Sequence, residues 1–185
     1  MLSITLLAGC ATTMEAHSDR DPAQNFSNYR TYAWMADEPM MAPPDQLLRV
    51  SPLNRQRIVV AIDDEMRAKG FQKVAARGTA DFVVSYTVGA RDRIDVQSYP
   101  EPYAGMWHWG SPYFGRDVDV RMYTEGTLAI DIFDRNTHQP VWHGWGSKRI
   151  TAHDVKHAAE QIPPAVKEIL KDFPPPSPVA AVERS

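Results

Sequence analysis

The chain has 185 residues, a formal charge of −3 and a single cysteine. That length suits one domain with tails and is enough for a real hydrophobic core. The near-balanced charge carries no footprint of a nucleic-acid binder or of a protein held electrostatically on an anionic membrane. A lone cysteine excludes an intramolecular disulfide and a Cys-rich zinc site.

The cysteine closes the run Leu6-Leu7-Ala8-Gly9-Cys10, which has the form of a bacterial lipobox. A short apolar segment enters the membrane, small residues let a peptidase reach the backbone, and the thiol is alkylated with diacylglycerol. Cleavage before Cys10 frees an amine for a third acyl chain. Each buried methylene contributes about 0.8 kcal/mol, so several chains hold far more firmly than one. The segment is too short to span a bilayer and lacks the basic residues that open a complete signal peptide. Residues 1–9 are therefore expected to be a lipoprotein signal peptide with a shortened front. Ala11, rather than Asp, after the cysteine points to the outer membrane, facing the periplasm. Residues 10–24 are mostly small and polar and read as a tether.

Phe26–Met35 alternates loosely and is rich in aromatic residues, as a first strand would be. Residues 36–49 carry Pro39, Pro43 and Pro44 among methionines and read as a loop, the methionines as packing rather than a metal tract. Ser51-Pro52 suits a helix start, with Ser51 as cap. Ile58, Ile62 and Met66 follow at four-residue spacing, and Gly70 closes the helix with a left-handed turn. Phe71–Val74 is a short extended piece. Ala80–Ala90 is a strand with Phe82, Val84, Tyr86 and Val88 on one face.

Residues 97–115 hold Tyr99, Tyr103, Trp107, Trp109, Tyr113 and Phe114 among prolines and glycines. Flat rings stack on apolar faces, so Tyr103, Trp107, Trp109, Tyr113 and Phe114 are candidates for binding a glycan or lipid. The alternative is a long hairpin connection folded back over the sheet.

Met122–Phe133 alternates, placing Gly126, Leu128, Ile130 and Ile132 on one face. Residues 134–139 form a polar turn, in which Asp134 bonds forward to amides and a residue near His138 takes a left-handed backbone. Val141–Ser147 returns. Asp134 opposite Pro140 sets Ile132 against Trp142, Ile130 against Gly144, Leu128 against Gly146 and, on the outer face, Asp131 against His143. The glycines leave room for Trp142 or for a helix over the sheet. A closing helix lies within 157–172, starting or kinking at Pro163-Pro164, with Val166, Ile169, Leu170 and Phe173 as its apolar stripe. Residues 176–185 are a loose tail.

Several stretches together resemble a known family. They are Tyr123-x-Glu125-Gly126-Thr127-Leu128-x-Ile130-Asp131, then Asp134-x-x-Thr137, then Val141-Trp142-x-Gly144. Phe26–Trp34, Arg57–Phe71, Ala80–Tyr86 and Ile169–Pro175 agree in order and spacing. The set resembles the bacterial lipoprotein family of the domain of unknown function 4136, over residues 25–175. The resemblance implies a two-layer α+β domain on a lipid-anchored envelope protein and transfers no catalytic residue.

The expected fold is α+β: an antiparallel sheet of about four to five strands with two helices on one face. The expected function is that of a non-enzymatic binding or structural lipoprotein, without cofactor or metal. It would be attached to the membrane at Cys10 and meet an envelope protein or glycan. The competing expectation is a cell-wall hydrolase using Asp131 and His143 as an acid–base pair. His153 and His157 are spaced as metal ligands on a helix would be, but a zincin-type glutamate and a third ligand are missing from their vicinity.

Overall fold

A computed structural model of the protein describes residues 14–41, 50–98 and 118–175. Six strands form one sheet: β1 (Glu15–Arg20), β2 (Thr31–Trp34), β3 (Gln72–Lys73), β4 (Phe82–Ser98), β5 (Val118–Asp134) and β6 (Pro140–Ile150). The helices are α1 (Pro52–Ala68), α2 (Ala152–Lys156) and α3 (Ala158–Ile169). The strand order is β1-β6-β5-β4-β2-β3. The helical layer packs on one face of the sheet, through Ile58, Ile62 and Met66 of α1 and Val166 and Ile169 of α3.

The α+β class holds, but the sheet is mixed and larger than the expected four to five antiparallel strands, and there are three helices rather than two. β2 runs parallel to both β3 and β4. β3 is two exposed residues, too short for a periodic signal. β1 falls inside the expected tether at 10–24. It is almost wholly exposed and polar, and pairs antiparallel with β6 from Glu15↔Ser147 to Arg20↔Trp142. Its hold on the sheet comes from backbone hydrogen bonds, which need no hydrophobic alternation. α2 starts with a capping box in which Thr151 and Asp154 satisfy each other's backbone amides.

Other boundaries move for local reasons. The strand expected from Phe26 is β2 and starts at Thr31, because the Asn25 side chain accepts from the Ser27 amide and draws Phe26–Asn28 into a 3-10 turn. Ser51 stands at the start of α1 without a side-chain capping bond, and Pro52 fills the first position as expected. Gly70 has φ +91°, the left-handed turn that closes α1. α3 starts at Ala158, ahead of Pro163 and Pro164, and continues through both. Both prolines and the preceding residues Ala159 and Glu160 are exposed, so carbonyls left without an amide donor face water.

The core joins sheet to helices. Phe82, Val84, Tyr86, Ile130, Ile132 and Trp142 of the sheet are buried against Ile58, Ile62, Met66, Val166 and Ile169. At one end the rings crowd around Phe173, whose centroid lies 5.3–6.0 Å from those of Trp142, Phe71, Phe82 and Phe26. Edge and tilted contacts of this kind add to simple burial. Met40, from the methionine loop, is buried and bridges to Tyr86.

One carboxylate ties helix to sheet edge. Asp63 of α1 accepts from the Tyr32 hydroxyl at 2.7 Å, the Trp34 indole at 3.1 Å and the Lys73 ammonium at 2.8 Å. Burial and this carboxylate push the Tyr32 phenol well above its ordinary pKa. Asp63→Ala leaves the Tyr32 hydroxyl and the indole without their acceptor, at a cost of about 2–3 kcal/mol. Urea unfolding should show that loss, and a midpoint equal to wild type would dismiss the tie.

Candidate functional site

The β5–β6 hairpin sets one face of the site. Ile132 pairs with Trp142, Ile130 with Gly144, Leu128 with Gly146 and Asp131 with His143, as the alternation predicts. The expected pairing of Asp134 with Pro140 does not occur: Phe133 opposes Pro140, with a bulge beside Ile132. The extra residue in β6 absorbs the shift. The turn is held as its residues suggest. Asp134 accepts from the Asn136 and Thr137 amides, and His138 has φ 57°.

On the outer face, away from the helices, His143 Nδ1 and Asp131 Oδ1 are 2.6 Å apart. The His143 ring stacks on Trp145 with centroids 5.0 Å apart, and the same indole meets His17 of β1 at 5.5 Å. Two outer-face pairs beyond Asp131 and His143, Thr127 and Ser147 share a 2.8 Å hydroxyl bond. The register also places Ser85 of β4 opposite Asp131. The cross-strand row therefore reads Ser85, Asp131, His143, Asp19. A histidine that activates a serine must stand between the serine and the carboxylate. Here the carboxylate is in the middle, and the Ser85 hydroxyl is buried with no partner among the described residues.

His153 and His157 stack with ring centroids 4.0 Å apart, and His157 Nδ1 contacts the His153 carbonyl at 2.9 Å. Among the described residues no group of three or more His, Cys, Asp or Glu side chains could hold a metal ion.

β4 and β5 pair without a break from Phe82↔Asp134 to Ser98↔Val118. β6 follows β5 only as far as Thr124↔Ile150, and β2 follows β4 only over Phe82–Val84. The six pairs from Arg93↔Tyr123 to Ser98↔Val118 thus form a two-stranded arm beyond the sheet. At about 3.4 Å per residue the arm is roughly 20 Å long. Residues 99–117, with candidates Tyr103, Trp107, Trp109, Tyr113 and Phe114, join its two ends and lie outside the described residues, as does Cys10.

Sequence reasoning missed a cavity of about 240 Å³ between the sheet and the start of the helical layer. Its walls include Met14, Val88, Leu128 and Ile150 from the sheet side and Ile58, Ile162 and Ala165 from the helices. Met14 lies over Gly146 and Ile150 over Gly126, so close that a Cβ on either glycine would meet them at 2.7–2.8 Å. The wall holds one ion pair, Lys148 Nζ to Asp154 Oδ1 at 2.6 Å, with Gln161 3.3 Å from the same ammonium. The Lys148 bond, then the Thr151 hydroxyl, holds the Asp154 carboxyl down to about 2. The diagonally placed glycines Gly126 and Gly146 on adjacent strands and the small helix residues Ala158 and Ala165 were the available signal.

The model of one family, the domain of unknown function DUF4136, matches residues 16–175. The chain belongs to the DUF4136 family. A solved DUF4136 family protein from Bacteroides thetaiotaomicron is 16% identical, with 86% of this chain and 94% of that one covered and a TM-score of 0.47. A PelC dodecamer from Paraburkholderia phytofirmans is 12% identical, covering 85% and 96%, with a TM-score of 0.45. A PDZ domain protein from Parabacteroides distasonis is 12% identical, covering 88% of this chain and 36% of that one, with a TM-score of 0.45. The comparison with curated proteins gives no match. The DUF4136 match starts within β1, so it takes in residues 16–24 of the segment read as tether. No helix among the described residues of this DUF4136 protein is long and apolar enough to cross a membrane.

Proposed function

We propose that this DUF4136 protein is a lipid-anchored envelope protein, attached at Cys10 to the outer membrane and facing the periplasm, that works by contact rather than by turnover. The observation that carries the contact reading is the β4–β5 arm. Its unbroken register outruns the sheet and delivers the ends of an aromatic-rich segment about 20 Å from the last three-stranded row. Rings at the end of an arm can meet a glycan or an envelope protein. The order Ser85, Asp131, His143 argues against a histidine-activated nucleophile on the outer face. Anchoring rests on Leu6-Leu7-Ala8-Gly9-Cys10 and the affinity of several acyl chains for a bilayer.

The test joins Ser98 to Val118 through an Asn-Gly turn, which suits two paired antiparallel ends. The shortened protein should be at least as stable as the wild type, because closing a two-residue turn costs less entropy than closing a long connection. In-cell cross-links to an envelope partner should disappear. Cross-links that persist at wild-type yield would end the contact reading. Cys10→Ser should move the protein from membrane to soluble fractions and abolish fatty-acid labelling.

A second reading, a cell-wall hydrolase, draws on the 2.6 Å Asp131–His143 contact. It gains ground if Asp131→Asn and His143→Gln stay folded yet fail to complement a deletion strain.

A further inference from the structure

We infer that the cavity between the sheet and the helices is the seat of a hydrocarbon chain, and that its occupant is an acyl chain carried on this molecule's own Cys10. The inference rests on the anchoring proposed above and adds what that reading leaves open, the place where one chain goes when it is not in a bilayer.

Three observations converge. The cavity wall is apolar over most of its extent, with Leu128, Ile150, Ile162 and Ala165 around it. Its one cation, Lys148, is matched by Asp154 at 2.6 Å, so the wall presents no unbalanced charge to a hydrocarbon. Second, the volume is of the right order. About 240 Å³ corresponds to roughly eight methylenes, if each occupies about the ~30 Å³ share of a water molecule in the liquid. Half of a long acyl chain fits, and Met14, which lies over Gly146, is an unbranched, flexible side chain that can move to admit more.

The third observation names the occupant. Met14 is part of the wall, and the chain before it leads to Cys10. Four residues span at most about 14 Å, so an acyl chain on the Cys10 sulfur would start within that distance of Met14 in the cavity wall. β1 holds that exit in place, through Glu15↔Ser147 and Ala16↔Gly146. A tethered chain also binds at a high effective concentration, set by the short linker.

The test has two arms. In the first, the full chain carrying Cys10→Ser is titrated with cis-parinaric acid, a fluorescent fatty acid. Binding is expected, at least tenfold weaker in a second protein that also carries Ala165→Phe, which fills the cavity. Leu128→Ala, which enlarges it, should retain binding, and thermal unfolding of each variant checks that it is folded. No binding to the Cys10→Ser protein, or equal binding by a folded Ala165→Phe protein, would overturn the cavity's role. In the second arm, cells are fed a fatty acid bearing a diazirine, and the wild-type protein is irradiated and digested. Cross-links from the Cys10 lipid to the 152–169 region are expected. Label on Cys10 with cross-links to other molecules only overturns the assignment and leaves anchoring intact. No label on Cys10 overturns anchoring and this occupant together.

Discussion

Gly144→Ala is expected to cost about 3 kcal/mol or more, enough to unfold much of a marginally stable domain. The reason is on the inner face of β6. The indole of Trp142 lies along its own strand, across the place a side chain at 144 would take. A Cβ there would run into Cη2 of the Trp142 ring, with two further ring carbons at 2.8–2.9 Å. The ring is buried, so it cannot step aside without being unpacked. Trp142 is 2% exposed and packs against Phe173 at the junction of sheet and helices. Moving it out forfeits most of the contact energy of a buried tryptophan, of the order seen when such a ring is truncated. Two controls separate this from a general glycine effect. Gly78→Ala has open space around the new methyl and should change stability by less than about 0.5 kcal/mol. Trp142→Leu should make Gly144→Ala much less harmful, so the double variant should be far from additive. Denaturant midpoints measure all of these, and an additive double variant would show that the ring is not the obstacle.

Asp134→Ala should cost about 3 kcal/mol. Its carboxylate is 7% exposed, and both oxygens are engaged. Oδ1 accepts the Asn136 and Thr137 amides at 2.9 Å each, and Oδ2 accepts the Tyr29 hydroxyl at 2.8 Å. Alanine would strand two turn amides and a phenol that is itself packed on Phe82 with centroids 5.0 Å apart. Asp134→Asn keeps the shape and should cost less. Burial alone would raise the Asp134 pKa, but the Thr137 amide, the Tyr29 hydroxyl and the Asn136 amide outweigh it and hold the carboxyl below its ordinary value. A carboxyl whose folded pKa lies below its unfolded one stabilises the fold above about pH 3.9. That contribution fades as pH falls through the folded value. Asp81, bonded to the amides of Arg30 and Thr31, is lowered too, and adds in the same direction. Wild-type stability should therefore drop on acidification below about pH 4, and Asp134→Ala should flatten that drop. An equal acid slope in both proteins would contradict the assignment.

How much of the candidate site was legible depended on distance along the chain. The Asp131–His143 pair could be read because β5 and β6 are joined by a short turn, and alternation alone aligns Ile132 with Trp142. The bulge at the turn end could not, since only the Phe133–Pro140 pair lies beyond it, too little strand for the change of phase to show as a pattern. Ser85 in the same row could not be placed either: its register against Asp131 is set across the 99–117 connection. The Asp134–Tyr29 bond joins residues 105 apart, and no periodicity relates them.

By itself, the sequence determined the elements with a repeating apolar face: α1 through Ile58, Ile62 and Met66, the buried sides of β4 and β5, and the left-handed exit at Gly70. Each follows from local geometry, in which a period of 3.6 or 2.0 or a demand for positive φ leaves its mark on neighbouring residues. Only the tertiary structure decided that the mostly polar residues 15–20 form an edge strand, that two residues of β3 lie parallel to β2, and that Met14 lines an apolar cavity. Edge pairing uses amides and carbonyls that every residue carries, and a cavity is bounded by side chains from distant segments, so neither imposes a pattern along the chain.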